Sequence, residues 1–334
     1  MIYVVITFLW ASILLYLLMG GADFGAGILE LFTSRKNRRK TRKTLYQAIG
    51  PIWEANHMWL IIAIVILFVG FPGIYATMSV YLHIPLTVML IGIIARGTAF
   101  TFRHYDAVVD EMQYVYNKIF VYSSFITPLF LGIIAASAVS GQINTNATSF
   151  ADAYIFSWLN LFSVAVGFFT ASICAYLAAI YLIGETKLVP DERQRFIVKA
   201  RSANIAALVS GALVFIAAEI ENVPVKNWVF GNLPGILAIA LATASLILMW
   251  YLINKGRSVV IRVLAGFQVA MILFATTYIH YPNIVVLDNG YLSLIEHQGH
   301  EKTIRALGWA LLLGSIFILP ALFYLIYSFK RKKV

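Results

Sequence analysis

Charge is scarce in this sequence. Asp, Glu, Lys and Arg make up 12% of its 334 residues, against about 25% in an average soluble protein. That shortage speaks against a soluble enzyme, a disordered tail and a nucleic-acid-binding domain. Cysteine is almost missing: Cys174 stands alone, so no internal disulfide can form, and CxxC metal and haem-attachment patterns have no residues to build them. Cys174 lies in an apolar run and reads as a small packing residue. The start of the chain, Met1-Ile2-Tyr3-Val4, has no basic segment and no small-residue cleavage site. The first apolar run is therefore expected to be a retained helix, not a signal peptide.

Apolar residues are present in excess. They are 61% of the chain, and the mean hydropathy is +0.83. This is the composition of a polytopic membrane protein. A helix crosses a hydrocarbon core of about 30 Å with roughly 20 apolar residues. Nine segments meet that length, at approximately 2–32, 50–70, 74–103, 118–140, 155–184, 202–220, 234–253, 259–281 and 305–329. The runs are continuous and not alternating, which favours helices over barrel strands.

Basic residues give the orientation. Arg35, Lys36, Arg38, Arg39, Lys40, Arg42 and Lys43 crowd one loop. Placed in the cytoplasm, that loop shares its side with Arg103, Lys118, the cluster from Lys187 to Arg201, Lys255 to Arg262, and the tail Lys330–Lys333. In total, 21 of the 25 Lys and Arg fall there. The bias predicts nine spans with the N-terminus outside and the C-terminus in the cytoplasm. The expected architecture is a single all-α membrane domain over 1–334: four helices over about 2–140, four over about 155–281 and a peripheral ninth over about 305–329. No loop is large enough for a soluble domain.

Ionisable side chains at bilayer depth are costly, and each asks for a reason. Asp23 lies in Gly20-Gly21-Ala22-Asp23-Phe24-Gly25-Ala26-Gly27, where small residues let a neighbouring helix approach closely. It either locks packing through hydrogen bonds or relays protons. Glu30, two turns on along the same face, is expected to be solvated beside the basic loop. Glu54 and His57, in Gly50-Pro51-Ile52-Trp53-Glu54-Ala55-Asn56-His57-Met58-Trp59-Leu60, are three apart and share a helix face. Pro51 suits the first helical turn. The pair reads either as a capped helix start with interfacial tryptophans or as a carboxylate and imidazole that pass protons inward. Arg96, in Ala95-Arg96-Gly97-Thr98-Ala99-Phe100-Thr101-Phe102-Arg103, needs a carboxylate, and depth matching offers Glu54 or Asp23. Glu219 reads as a solvated helix end. His57 with Met58 is the one tempting haem-ligand pair, but adjacent helix residues point in different directions, and no metal-ligand spacing is present.

The Gly50–Leu60 stretch closely resembles the signature of subunit II of cytochrome bd-type quinol oxidases. Asp23-Phe24-Gly25-Ala26-Gly27 is similar to that family's first motif and Arg96–Arg103 to its third. Over helices four to nine the similarity rests on layout. The resemblance implies a heterodimer in a bacterial or archaeal cell membrane. Its subunit I carries two b-type haems and one d-type haem, and subunit II carries none. The complex oxidises quinol and reduces dioxygen to water, taking protons from the cytoplasm. The resemblance assigns a proton path to Glu54, with His57 and Asp23 added here and Arg96 as carboxylate partner. It leaves Gly25, Gly27, Trp53, Asn56 and Trp59 as an interface or packing motif. It also allows a structural quinone and a small single-helix subunit. No nucleic acid is expected as a partner. Two other readings stay open: a proton-coupled transporter with broken helices and a midplane site, and a scaffold without a proton role. Against the transporter, Pro72, Pro85 and Pro128 are read as lying at or near span ends.

Overall fold

The computed structural model describes residues 1–50, 53–105 and 112–331, with only the backbone at Ile49, His104, Tyr105, Ile326, Phe329, Lys330 and Arg331. Pro51, and Lys332 and Lys333 of the basic tail, lie outside the described residues. Among those described, nine helices are long and apolar enough to cross a membrane: Ile2–Leu31, Trp53–Gly70, His83–Arg103, Met112–Val139, Leu161–Glu185, Pro190–Ile220, Leu233–Ile253, Ser258–His280 and Glu301–Leu325. We refer to them as the first to ninth spans. The chain is a multi-pass membrane protein.

Several segments differ from the expectation, each for a local reason. The basic stretch is a helix, Arg35–Ile49, and not a loop. Lys and Arg are good helix formers, so charge excluded these residues from lipid without breaking the helix. The sixth span begins at Pro190, not near 202, because Pro190 occupies the first turn with Asp191 and Glu192 behind it. Proline and acids both suit a helix N-terminus. The fifth span begins at Leu161, after Asn160 accepts a hydrogen bond from the Ser163 amide. A separate helix, Pro72–Tyr81, precedes the third span. The stretch after the eighth span folds into an antiparallel hairpin, Asn283–Leu287 with Gly290–Ser293. Pro128 does not mark a span end; it lies well inside Met112–Val139, which remains one helix.

The fifth span is the most buried. It packs against the first, fourth, sixth and eighth, so it joins the early and late helices. Glycines make the closest approaches possible. A Cβ on Gly25 would lie 1.8 Å from the Cys174 carbonyl oxygen of the fifth span, and one on Gly27 would lie 2.2 Å from Ser124 Oγ of the fourth. These two glycines therefore serve contacts inside the chain. Cys174 is buried at that contact, as a packing residue.

The two ends of the bundle are tied separately. At the end carrying the basic helix, Thr44 donates to Glu192 at 3.0 Å and Arg195 to Thr41 at 2.8 Å. At the other, Glu221 accepts from the Leu161 and Phe162 amides at the start of the fifth span. Glu219, expected to be solvated, is exposed and pairs with Lys226 at 2.7 Å.

Candidate functional site

The first span changes hydrogen-bonding pattern just before Asp23. Tyr16–Gly20 is a π-helical turn inside an otherwise α-helical span, a distortion frequent at functional sites. Gly20 lies against the Tyr16 ring, where a Cβ would come within 2.8 Å. Asp23 follows on the next turn and is 2% exposed. Its Oδ2 accepts from Asn56 Nδ2 of the second span at 2.7 Å.

Arg96 enters from the third span and is also buried. Its guanidinium does not form the expected carboxylate ion pair within the described residues. It donates instead to the Asp23 main-chain carbonyl at 2.9 Å and to Ser124 Oγ at 3.2 Å. The rings of Phe24 and Phe120 lie 5.1 and 5.2 Å from its Cζ. The reason is geometric: the carbonyl of Asp23 faces the third span while its side chain reaches the second. A buried guanidinium keeps its donors satisfied by oxygens of any kind, and π faces supply further stabilisation.

His57 lies one helical step from Asn56 in an aromatic enclosure. The ring centroids of Tyr16, Phe24 and Trp53 are 6.0, 5.6 and 6.2 Å from its own. Trp53 also packs on Phe100 of the third span. Around this point the polar atoms outnumber their partners. Ser12 Oγ, Tyr16 Oη, Asn56 Oδ1, His57 Nδ1 and Trp59 Nε1 are buried and have no hydrogen-bond partner within the described residues. Buried polar groups in native proteins are paired, with protein or with ordered water. Five such groups on two adjoining spans call for ordered water or for a partner.

Glu54 occupies a different setting. It is exposed on the chain, as are Ile61, Val65 and Phe68 further along the second span. These positions share one outward stripe at seven-, four- and three-residue intervals. Glu54 forms no ion pair within the described residues. So the second span presents Asn56 and Trp59 inward and Glu54 outward, with His57 between.

Glu30 reverses the expectation of a solvated acid. It is fully buried. One oxygen accepts from Arg42 Nε at 2.9 Å and the other from Arg103 Nη1 at 3.0 Å. Arg103 also stacks over Phe120, 4.2 Å from the ring centroid. A signal for this arrangement lies in the spacing: Asp23 and Glu30 are seven apart on the first span, and Arg96 and Arg103 are seven apart on the third. Two helices with matching seven-residue intervals can meet at two levels.

A haem needs an axial ligand with open space on its face. The His57 ring is closed in by three aromatic rings. His280 directs Nδ1 to the Thr276 carbonyl at 2.9 Å and lies against Trp228. His297 and His300 accept main-chain amides of Ser293 and Lys302. These residues do not fit a haem. Among the described residues, no group of three or more His, Cys, Asp or Glu is placed to hold a metal ion.

Known proteins share both the sequence pattern and the fold. The family model described as cytochrome bd terminal oxidase subunit II matches residues 1–329. The cytochrome bd ubiquinol oxidase subunit 2 of Bacillus subtilis (strain 168) is 30% identical over 173 residues, 50% of this chain and 49% of that one. The cytochrome bd-I ubiquinol oxidase subunit 2 of Escherichia coli (strain K12) is 26% identical over 238 residues, 67% of this chain and 61% of that one. The alignments thus span from half to about three fifths of these relatives' length. A chain in the structure of bd oxidase from Geobacillus thermodenitrificans shares the fold, with a TM-score of 0.79, 19% identity and 98% of both chains covered.

Proposed function

The chain belongs to the cytochrome bd terminal oxidase subunit II family, and from that membership we propose that it is the haem-free subunit of a quinol oxidase. In this reading a partner subunit I carries two b-type haems and one d-type haem, oxidises quinol and reduces dioxygen to water. This chain supports the partner and admits protons. It lies in the cell membrane with its basic end in the cytoplasm and its N-terminus outside. A structural quinone and a small single-helix subunit are compatible with the proposal and enter none of its steps.

The proton route runs from Glu54 through His57 to Asp23. Glu54 collects protons at the cytoplasmic end, and water held by the orphaned groups of His57, Asn56 and Tyr16 carries them inward. Reduction of one dioxygen to water takes up four protons, and none can cross dry hydrocarbon without such carriers. Arg96 acts as a fixed positive neighbour that holds the Asp23 turn in place through its main chain.

The observation that carries this reading is the position of Glu54 on an outward apolar stripe. A carboxylate directed at lipid tails is costly, whereas one covered by a second subunit is shielded from them. Trp53 and Glu54 then lie at the subunit contact, while Gly25, Gly27, Asn56 and Trp59 build this chain's interior. Replacing Glu54 by Ala in the intact oxidase tests the proposal. We expect retained haem absorption and co-purification of the partner, with oxygen consumption reduced at least tenfold. Full oxygen consumption with normal assembly would refute the proton role.

A further inference from the structure

A groove of about 760 Å³ opens between the first, fourth, fifth and sixth spans, on the side of the first span away from Asn56. Its chemistry changes along its length. Thr33, Arg195 and Lys199 border it at the basic end, and Phe125, Phe168 and Ala206 line it toward the middle of the spans. Arg195 and Ala206 are on one helix, about 16 Å apart at 1.5 Å per residue. That is close to half of a hydrocarbon core of about 30 Å, the depth of one leaflet.

Arg195 and Lys199 are one turn apart and half-buried. Neither has a carboxylate partner within the described residues. Arg195 donates to Thr41 Oγ1 at 2.8 Å. Lys199 donates to the Leu29 carbonyl at 3.0 Å and to the Thr33 hydroxyl. Two half-buried cations answered only by neutral oxygens leave a positive mouth on an apolar channel. The basic helix Arg35–Ile49 adds charge of the same sign beside it.

We propose that this groove seats one anionic phospholipid of the leaflet at the basic end. Its phosphate rests on Arg195 and Lys199, and an acyl chain runs along Phe125 and Phe168 to Ala206. Charge selects the occupant. A zwitterionic lipid brings no net negative charge to the two cations, and a free phosphate ion makes no use of the apolar walls.

The test is native mass spectrometry of the intact oxidase released from vesicles of phosphatidylglycerol and phosphatidylcholine. The wild type is expected to retain a phosphatidylglycerol adduct and not phosphatidylcholine. The double substitution Arg195→Gln, Lys199→Gln should lower the retained adduct at least tenfold. Ala206→Trp leaves both cations in place and fills the apolar channel; it should lower the adduct at least fivefold. Equal retention of the two lipids would overturn the proposal, as would an adduct unchanged by the double substitution. Retention in Ala206→Trp together with displacement by inorganic phosphate in the wild type would reduce the site to a phosphate ion and overturn it too. Because Ala206→Trp spares the polar contacts, the proposal stays testable if the double variant fails to assemble.

Discussion

The first and third spans meet at two levels that use the same chemistry in different ways. At the level nearer the basic end, Glu30 has both oxygens taken by guanidinium donors, Arg42 and Arg103. Two turns deeper, Asp23 accepts from the neutral Asn56, and Arg96 turns to the main chain and to Ser124. Phe120 lies between, facing both arginines. The level of Glu30 is a closed bracket in which the acid is answered by opposite charge. The level of Asp23 leaves its acid in contact with groups that can exchange partners, next to five buried polar atoms that have none within the described residues. The same kind of residue pair thus yields a structural tie at one depth and a candidate proton carrier at the other. What separates them is whether the arginine reaches the carboxylate or the carbonyl.

This contrast can be broken most forcefully at Glu30. Glu30→Ala leaves Arg103 buried without its counter-charge, and we expect a loss of about 3–5 kcal/mol. Thermal unfolding of the detergent-solubilised complex, or failure of the chain to accumulate in membranes, reads that loss. Asn56→Leu removes the side-chain donor to the Asp23 carboxylate and should cost about 1–3 kcal/mol in the same assay. Asp23→Asn is milder for stability, under about 1 kcal/mol, because an amide oxygen still accepts from Asn56. Its main effect should fall on turnover. If Asp23→Asn destabilised the protein as much as Glu30→Ala, the two levels would be alike and the contrast would fail. The smallest change is expected at the exposed Glu219–Lys226 pair, where Lys226→Ala should shift stability by about 0.5 kcal/mol or less.

Much of the layout is legible in the amino-acid sequence, because lipid imposes continuous apolar helices and the excess of Lys and Arg marks one end of the bundle. Nine spans follow from those two constraints. The helical state of Arg35–Ile49 and the early start at Pro190 are not legible from hydropathy, since charge reports exclusion from lipid and says nothing against a helix. The site is legible in part. Asp23, Glu54, His57 and Arg96 stand out because polar groups are rare at that depth. Their connections do not: depth matching pairs Arg96 with a carboxylate, but the helix rotation that aims Asp23 at Asn56 is set by packing at Gly25 and Gly27. Glu30 escapes the sequence reading because proximity to a basic stretch suggests water, whereas Arg42 folds back over the carboxylate and excludes it.

We place Asp23 and Glu54 on one route by which protons enter the complex. Time-resolved charge uptake during a single turnover of the reconstituted oxidase tests it directly in Asp23→Asn. We expect an electrogenic phase slowed at least tenfold, with haem spectrum and subunit content unchanged. An electrogenic phase of wild-type speed in that assembled variant would contradict it.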